Sequence, residues 1–453
     1  MKLTQTRAIW RIPASWERDA ARRARHASFD STDPVVDARL VRRKTADDHA
    51  PAILKAAFVF ALLALTVFDR FGLSISSSYS ISPGLFGIAA LLGAAALSRS
   101  LRLAGYGSLL YIAVIAIAGA SFAVNTSLSG HQYASFGSLL LLLVLYAPFA
   151  FTLRPSVAST TLWQWFVNLY LTFALVLAIA GILQFYAQFV VRTPWLFDYT
   201  PLIPSVIRGS GTYNTTNVAG ALIKSNGFFL REASGFSFMM AFALLCEWST
   251  RKRKWVMAPF VLGLIVSYSG SGLLAIAVAM LFPLGQRTAV RVLAIVAIGA
   301  VIVLVFGDAL NLSYTLDRVG EINSSRSSAY CRFVAPGVLV AEQIDSDVWT
   351  ALLGHGPGTT QRMSSICETT YGKVLFEYGM LGAVVFSALV VGAIHRTWVP
   401  VRMRAALIVH WFLLGGNLLA PEALMFILCI CGWWPEKQPD AERIGDRTWR
   451  KPT

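Results

Sequence analysis

The sequence predicts an all-α integral membrane protein of about 12 transmembrane helices, both termini cytoplasmic, with two large structured periplasmic loops. Three observations lead there. Of 453 residues, 56% are hydrophobic and only 14% charged, where a soluble chain carries roughly a quarter charged residues, and mean hydropathy is +0.59. The apolar residues gather in blocks close to the ~20 residues that span a ~30 Å hydrocarbon core. Lys and Arg cluster between alternate blocks, which is the charge pattern of cytoplasmic loops. Runs such as Leu139 to Leu145 lack the alternation of a barrel strand, so the blocks are helices.

Residues 1–50 hold eleven basic and seven acidic residues with little apolar periodicity and read as a disordered cytoplasmic tail. The acidic residues argue against an organellar transit peptide, and the first apolar run, near Pro51, starts too late for a cleavable signal. A polytopic domain over 51–434 follows, then a cytoplasmic tail over 435–453. Helices are predicted near 52–68, 82–98, 105–124, 135–152, 163–190, 234–248, 255–268, 271–284, 291–306, 376–394, 405–419 and 421–434. Arg99 with Arg102, Arg154, Arg251 to Lys254, Arg287 with Arg291, and Arg396 through Arg404 then all fall on the cytoplasmic side.

Basic clusters flank residues 255–284 at both ends, so this stretch crosses an even number of times. Ser267-Tyr268-Ser269-Gly270-Ser271-Gly272 supplies the break between two short helices. Residues 405–434 repeat the logic, with Pro421-Glu422 near the turn. Two long loops remain outside, 191–233 and 307–375, the second with five basic and seven acidic residues. Their aromatic residues, Trp195, Phe197, Tyr213, Phe228, Phe229, Tyr330, Phe333 and Trp349 among them, predict packed structure, so function is expected to concentrate there.

The net charge of +15 belongs to the cytoplasmic loops and does not argue for nucleic acid. Five cysteines make no disulfide scaffold. Cys331 and Cys367, both in the second loop, are a candidate disulfide, whereas Cys246, Cys429 and Cys431 read as small apolar fillers.

Several residues could carry chemistry. Arg208-Gly209-Ser210-Gly211-Thr212-Tyr213-Asn214 suits an anionic or polyhydroxyl ligand, because glycines admit close approach and a guanidinium is a forked donor; a polar turn closing a hairpin is the alternative. Arg231-Glu232 stands at a helix start, where Glu232 is either functional or a carboxylate favoured by the helix dipole. In the second loop Arg318, Arg326, Arg332, Glu368, Tyr371 and Lys373, with His355 in Gly354-His355-Gly356-Pro357-Gly358, could bind a pyrophosphate and activate a hydroxyl, or form a structural ion-pair network. No His and carboxylate spacing resembles a metal site, and no Gly-x-Ser-x-Gly elbow is present.

As an ordered set these stretches resemble the bacterial superfamily of O-antigen ligases and Wzy-type polysaccharide polymerases. Arg208 to Asn217 is similar to its arginine-glycine-aromatic-asparagine segment. Gly227 to Ser234 looks like the Glu-Pro-Ser helix start, with Ala233 in the proline position. Ser267 to Leu273 resembles its short-helix break, and Gly354 to Gly358 with Phe376 to Gly382 resembles the end of its last large loop. Glu368, followed by Thr369, stands where the ligases carry a histidine, which favours the polymerase branch.

The resemblance implies a metal-independent glycosyltransferase of the bacterial inner membrane, needing no cofactor, that joins undecaprenyl-pyrophosphate-linked repeat units for exopolysaccharide, capsule or O-antigen. Its partners would be that glycan and membrane lipid, with a chain-length regulator and a flippase as further candidates, and no nucleic acid. Arg208, Glu368 and Glu232 are the catalytic candidates; Arg318, Arg326, Arg332, His355, Tyr371 and Lys373 are the substrate-binding candidates. An O-antigen ligase is the alternative, and a transporter or flippase a remoter one, since such a path would place ionisable residues at mid-membrane.

Overall fold

The computed structural model describes residues 51–76, 79–127, 134–191, 193–209, 222–283, 327–344, 347–360, 369–414 and 418–434. Both tails and the helix expected near 291–306 lie outside the described residues. The described chain is mostly helical. Among the described residues, three helices are long and apolar enough to cross a membrane: α3 (Gly105–Ser127), α5 (Thr160–Ala187) and α12 (Thr370–His395).

Around them stand shorter elements. The chain runs α1 (Ala52–Leu65), a hairpin of β1 (Leu73–Ser76) and β2 (Tyr79–Ile81), α2 (Pro83–Leu97), β3 (Leu101–Leu103), α3, α4 (Phe136–Tyr146), β4 (Phe151–Leu153) and α5. After a first long connection come α6 (Ala233–Thr250), α7 (Lys254–Ser267) and α8 (Gly270–Met280). The second long connection carries α9 (Ser328–Phe333), α10 (Ala335–Ile344) and α11 (Val348–Leu353) before α12. Last come α13 (Val401–Val409, prolonged by a π turn His410–Leu414) and α14 (Pro421–Ile427, prolonged to Gly432).

Polar caps set several helix starts by taking up amides that no helical carbonyl can reach. Ser159 Oγ accepts from Leu162 N at 3.1 Å, so α5 begins three residues before the predicted 163. Thr369 caps α12 the same way and starts it at 370 rather than 376. The predicted break in 255–284 is present: Tyr268 takes a left-handed conformation (φ 44°) and separates α7 from α8.

The ends of the bundle differ in chemistry. At one end β3 and β4 pair antiparallel with Arg102 opposite Thr152, Arg154 N donates to Ser100 O, and Leu153 N donates to Trp433 O. Arg99, Arg102, Arg154 and Arg396 gather there; this is the basic end. At the far end of α1 and α2, the hairpin end, residues 66–76 meet the first long connection. Gly72 N donates to Ile207 O and Gly209 N to Arg70 O, both at 3.0 Å. Between the ends an aromatic cluster ties α5, α6 and α14: Tyr170, Phe242 and Phe426 stand 5.0–5.9 Å apart, and Tyr170 Oη donates to Met239 O. The aromatic residues of the two connections divide. Phe197 is buried, but Trp195, Phe333 and Trp349 are exposed.

Candidate active site

The hairpin end is built around Arg70. This side chain is fully buried, and its guanidinium joins three segments distant in sequence. Nε and Nη2 donate to Leu230 O at 3.2 and 2.8 Å, Nη2 also to Phe197 O at 2.7 Å, and Nη1 to Asp198 Oδ1 at 3.0 Å. Tyr199 lies beneath it at 4.7 Å and stacks in turn on Phe228. A buried charge is tolerated only when its donors are satisfied, and a planar fork can satisfy several carbonyls at once. Beside it Gln184 of α5 uses both ends of its amide: Oε1 accepts from Ser225 Oγ and Asn226 N, and Nε2 donates to Leu196 O and Asn226 Oδ1. These bonds hold the first connection in one place and deliver Arg231 and Glu232 to the start of α6.

A cleft of about 280 Å³ opens there between α1, α6, α13 and α14. Its mouth carries Asp69, Arg231, Glu232 and Glu422; its floor is apolar, with Phe238, Met239, Leu414 and Phe426. Arg231 is clasped by Asp69, its N donating to Asp69 Oδ2 at 2.9 Å and its Nε to Asp69 O at 2.6 Å. Burial, with the nearby Glu422 charge, pushes the Asp69 carboxyl up to about 6, against the pull of Arg231 and Arg70. Glu232 differs: it is exposed, and Oε2 accepts from Ser234 Oγ at 2.7 Å. Glu422 Oε1 and His410 Nδ1, both atoms of cleft residues, are buried without a hydrogen-bond partner among the described residues. The His410 ring stacks on Phe238 at 3.7 Å. The cleft thus sets a largely buried carboxyl with a raised pKa, Asp69, beside an exposed carboxyl, Glu232, over an apolar floor.

Arg332 approaches from α9. Its Nη1 donates to Ser271 Oγ at 3.1 Å, its carbonyl accepts from Tyr371 Oη at 2.9 Å, and its charge acts on His410. Of the residues named from sequence, Glu232 therefore lines the cleft; Arg332, whose charge reaches His410, and Tyr371, bonded to the Arg332 carbonyl, do not line it. Arg208 is placed otherwise. Its guanidinium donates to Ile203 O at 2.6 and 3.0 Å and to Pro201 O at 3.2 Å, and it does not line the cleft.

His355 and Lys373 belong to a separate cluster. His355 N donates to Phe376 O, and its ring lies 4.4 Å from that of Phe376. Lys373 and Glu377 are almost fully buried with 3.7 Å between their charged atoms, and Thr360 Oγ1 donates to Glu377 Oε1 at 2.7 Å. Arg318, Arg326 and Glu368 lie outside the described residues. Cys331 is disulfide-bonded, and Cys367, its expected partner, also lies outside the described residues; Cys246, Cys429 and Cys431 are buried and unpaired, as fillers would be.

Sequence reasoning passed over Asp69, Arg70, Asp198 and His410, and held Glu377 only as part of the Phe376 to Gly382 motif. A signal for the first two existed: Asp69-Arg70 follows a helix that starts at the basic end, so an arginine there runs against the charge rule. The others show only once separate segments meet. Among the described residues no group of His, Cys, Asp and Glu could hold a metal ion. Comparison with protein-family models, curated proteins and solved structures finds no match to this chain.

Proposed function

We propose that this chain is a polytopic inner-membrane polymerase that joins undecaprenyl-pyrophosphate-linked oligosaccharides at the periplasmic end of its helices. The observation that carries the reading is the cleft itself: carboxylates of unlike environment, Asp69 and Glu232, at the polar mouth of a gap whose floor is apolar and lies between helices. A lipid-linked sugar has this polarity, its polar head at the interface and its tail among helices. In the reaction a sugar hydroxyl attacks the anomeric carbon of the donor chain. The carbon–oxygen bond to pyrophosphate breaks, the lipid pyrophosphate leaves with the electron pair, and the hydroxyl proton passes to a carboxylate. Glu232 is the base in this scheme, and Arg332 with the arginines of the second loop takes the charge of the leaving group. Arg208, whose Nε and Nη2 donate to loop carbonyls, is assigned in this scheme to positioning the first connection. An O-antigen ligase is the second reading, since it would use the same cleft with a different acceptor.

The test is reconstitution of the full chain in lipid vesicles with a lipid-linked repeat unit. A ladder of products is expected, lowered about 100-fold or more in rate by Glu232→Gln. Folded protein that binds the substrate and yields no ladder overturns the polymerase. Transfer of intact polymer to an acceptor, with no ladder, would establish the ligase instead.

A further inference from the structure

Away from the candidate active site, at the basic end, a cavity of about 340 Å³ lies between the β3–β4 pair, the start of α3 and the end of α12. Two guanidiniums line it, Arg102 from β3 and Arg396 just past α12. Arg102 Nε donates to Thr152 Oγ1 at 3.2 Å, and Arg396 lies 3.8 Å over the ring of Tyr106. These contacts orient the two cations and neutralise neither. Among the described residues, no carboxylate stands within ion-pair distance of Arg102 or Arg396. Two like charges on one cavity repel, and an anion between them relieves that repulsion.

The backbone adds to the same field. Ser108 N donates to Ala104 O, so the amides of Gly105, Tyr106 and Gly107 precede the first helical bonds of α3, and all three residues line the cavity. A Cβ added at Gly105 would meet nothing within 4 Å, so the cavity is open on that side. Forked donors and orphan amides together fit phosphate oxygens.

The flank of the cavity indicates what carries the phosphate. α3 is the least buried of the three long helices, with 17% of its most apolar stretch covered against 44% and 50% for α5 and α12. Leu103, Leu109 and Ile112 present an exposed apolar strip beside the cavity, each at least 60% exposed. We propose that this cavity is a binding site for an anionic phospholipid, its phosphate held between Arg102 and Arg396 and its acyl chains lying along α3. The inference rests on the membrane reading alone and stands or falls independently of the glycan chemistry at the other end.

Binding to the purified full chain in detergent tests it, with phosphatidylglycerol, phosphatidylcholine and inorganic phosphate as probes and native mass spectrometry as readout. Phosphatidylglycerol is expected to bind about thirtyfold more tightly than phosphatidylcholine, from roughly 1 kcal/mol for each of the two basic residues near the surface. The preference should vanish in the Arg102→Ala, Arg396→Ala double variant. Preference retained there overturns the site. Displacement of phosphatidylglycerol by millimolar inorganic phosphate overturns the lipid as its occupant. Gly105→Glu guards against a misfolded double variant: it sets a carboxylate in open space on a first helical turn, where the dipole favours it. Folded Gly105→Glu protein that keeps the full preference is equally fatal to the proposal.

Discussion

Asp69 and Arg70 are neighbours in sequence with opposite tasks. Arg70 is fully engaged by two carbonyls and a carboxylate and acts as a staple. Asp69 remains 16% exposed at the cleft mouth with its carboxyl pushed up to about 6. Because the folded state holds that proton more tightly than the unfolded chain, Asp69 makes stability fall as pH rises from 3.8 to about 6, and the loss levels off above that. Asp69→Asn should flatten the melting temperature across that window, as measured by thermal unfolding of the detergent-solubilised protein. A slope unchanged by the substitution would remove Asp69 as its source. The sequence displayed both residues openly, but not their difference. That difference comes first from burial, which pushes the Asp69 carboxyl up together with the Glu422 charge, against the pull of Arg231. Arg231 and Glu422, 162 and 353 positions away, meet Asp69 only when the chain is folded.

Sequence reading placed the helix starts after Ser82 and Ser135 and the break at Tyr268 closely, but the Ser159 cap starts α5 three residues before the predicted 163. The interruption of α12 was not legible in the sequence. Gly379 sits inside that helix at φ 65°, ψ −166°, a region that essentially only glycine enters. The end of α11 and Gly354 after it lie against this point: a Cβ at Gly379 would come 2.3 Å from the Leu352 carbonyl, and one at Gly354 2.4 Å from the Glu377 backbone. The kink also exposes the Glu377 carbonyl, which accepts from Ser121 Oγ and Gly356 N. Both glycines stand in stretches that sequence reading had singled out, but as parts of a motif rather than as two halves of one contact. Gly379→Ala should cost about 3 kcal/mol from backbone strain and overlap together. Gly119→Ala, in α3 where a Cβ meets nothing within 4 Å, should be neutral or stabilise by up to ~1 kcal/mol. Chemical unfolding of the two variants against wild type measures the contrast, and equal effects would refute the kink argument.

At the scale of the whole molecule, charge decides which end faces which compartment. Connections at the basic end carry Arg99, Arg102, Arg154, the run Arg251 to Lys254, and Arg396 to Arg404, while the hairpin end carries Asp69, Asp198, Glu232 and Glu422 among its arginines. Three described helices, α3, α5 and α12, are long and apolar enough to cross a membrane, and the expectation of about twelve crossings with both termini on one side rests on hydropathy and charge. That expectation was available from the sequence because both are local properties of the chain. The cleft was not, because it forms where four helix ends converge. Orientation is tested by single cysteines and a membrane-impermeant maleimide on intact cells. Leu202 and Trp255 are suitable sites, 71% and 91% exposed, one on the first long connection and the other next to the basic run. Leu202→Cys should label from outside, and Trp255→Cys only after the membrane is opened. The native cysteines at 246, 429 and 431 are buried at 0–3% exposure and Cys331 is disulfide-bonded, so they contribute little background. Labelling of Trp255→Cys on intact cells would reverse the orientation and move the candidate active site to the cytoplasm, where a periplasmic polymerase could not work.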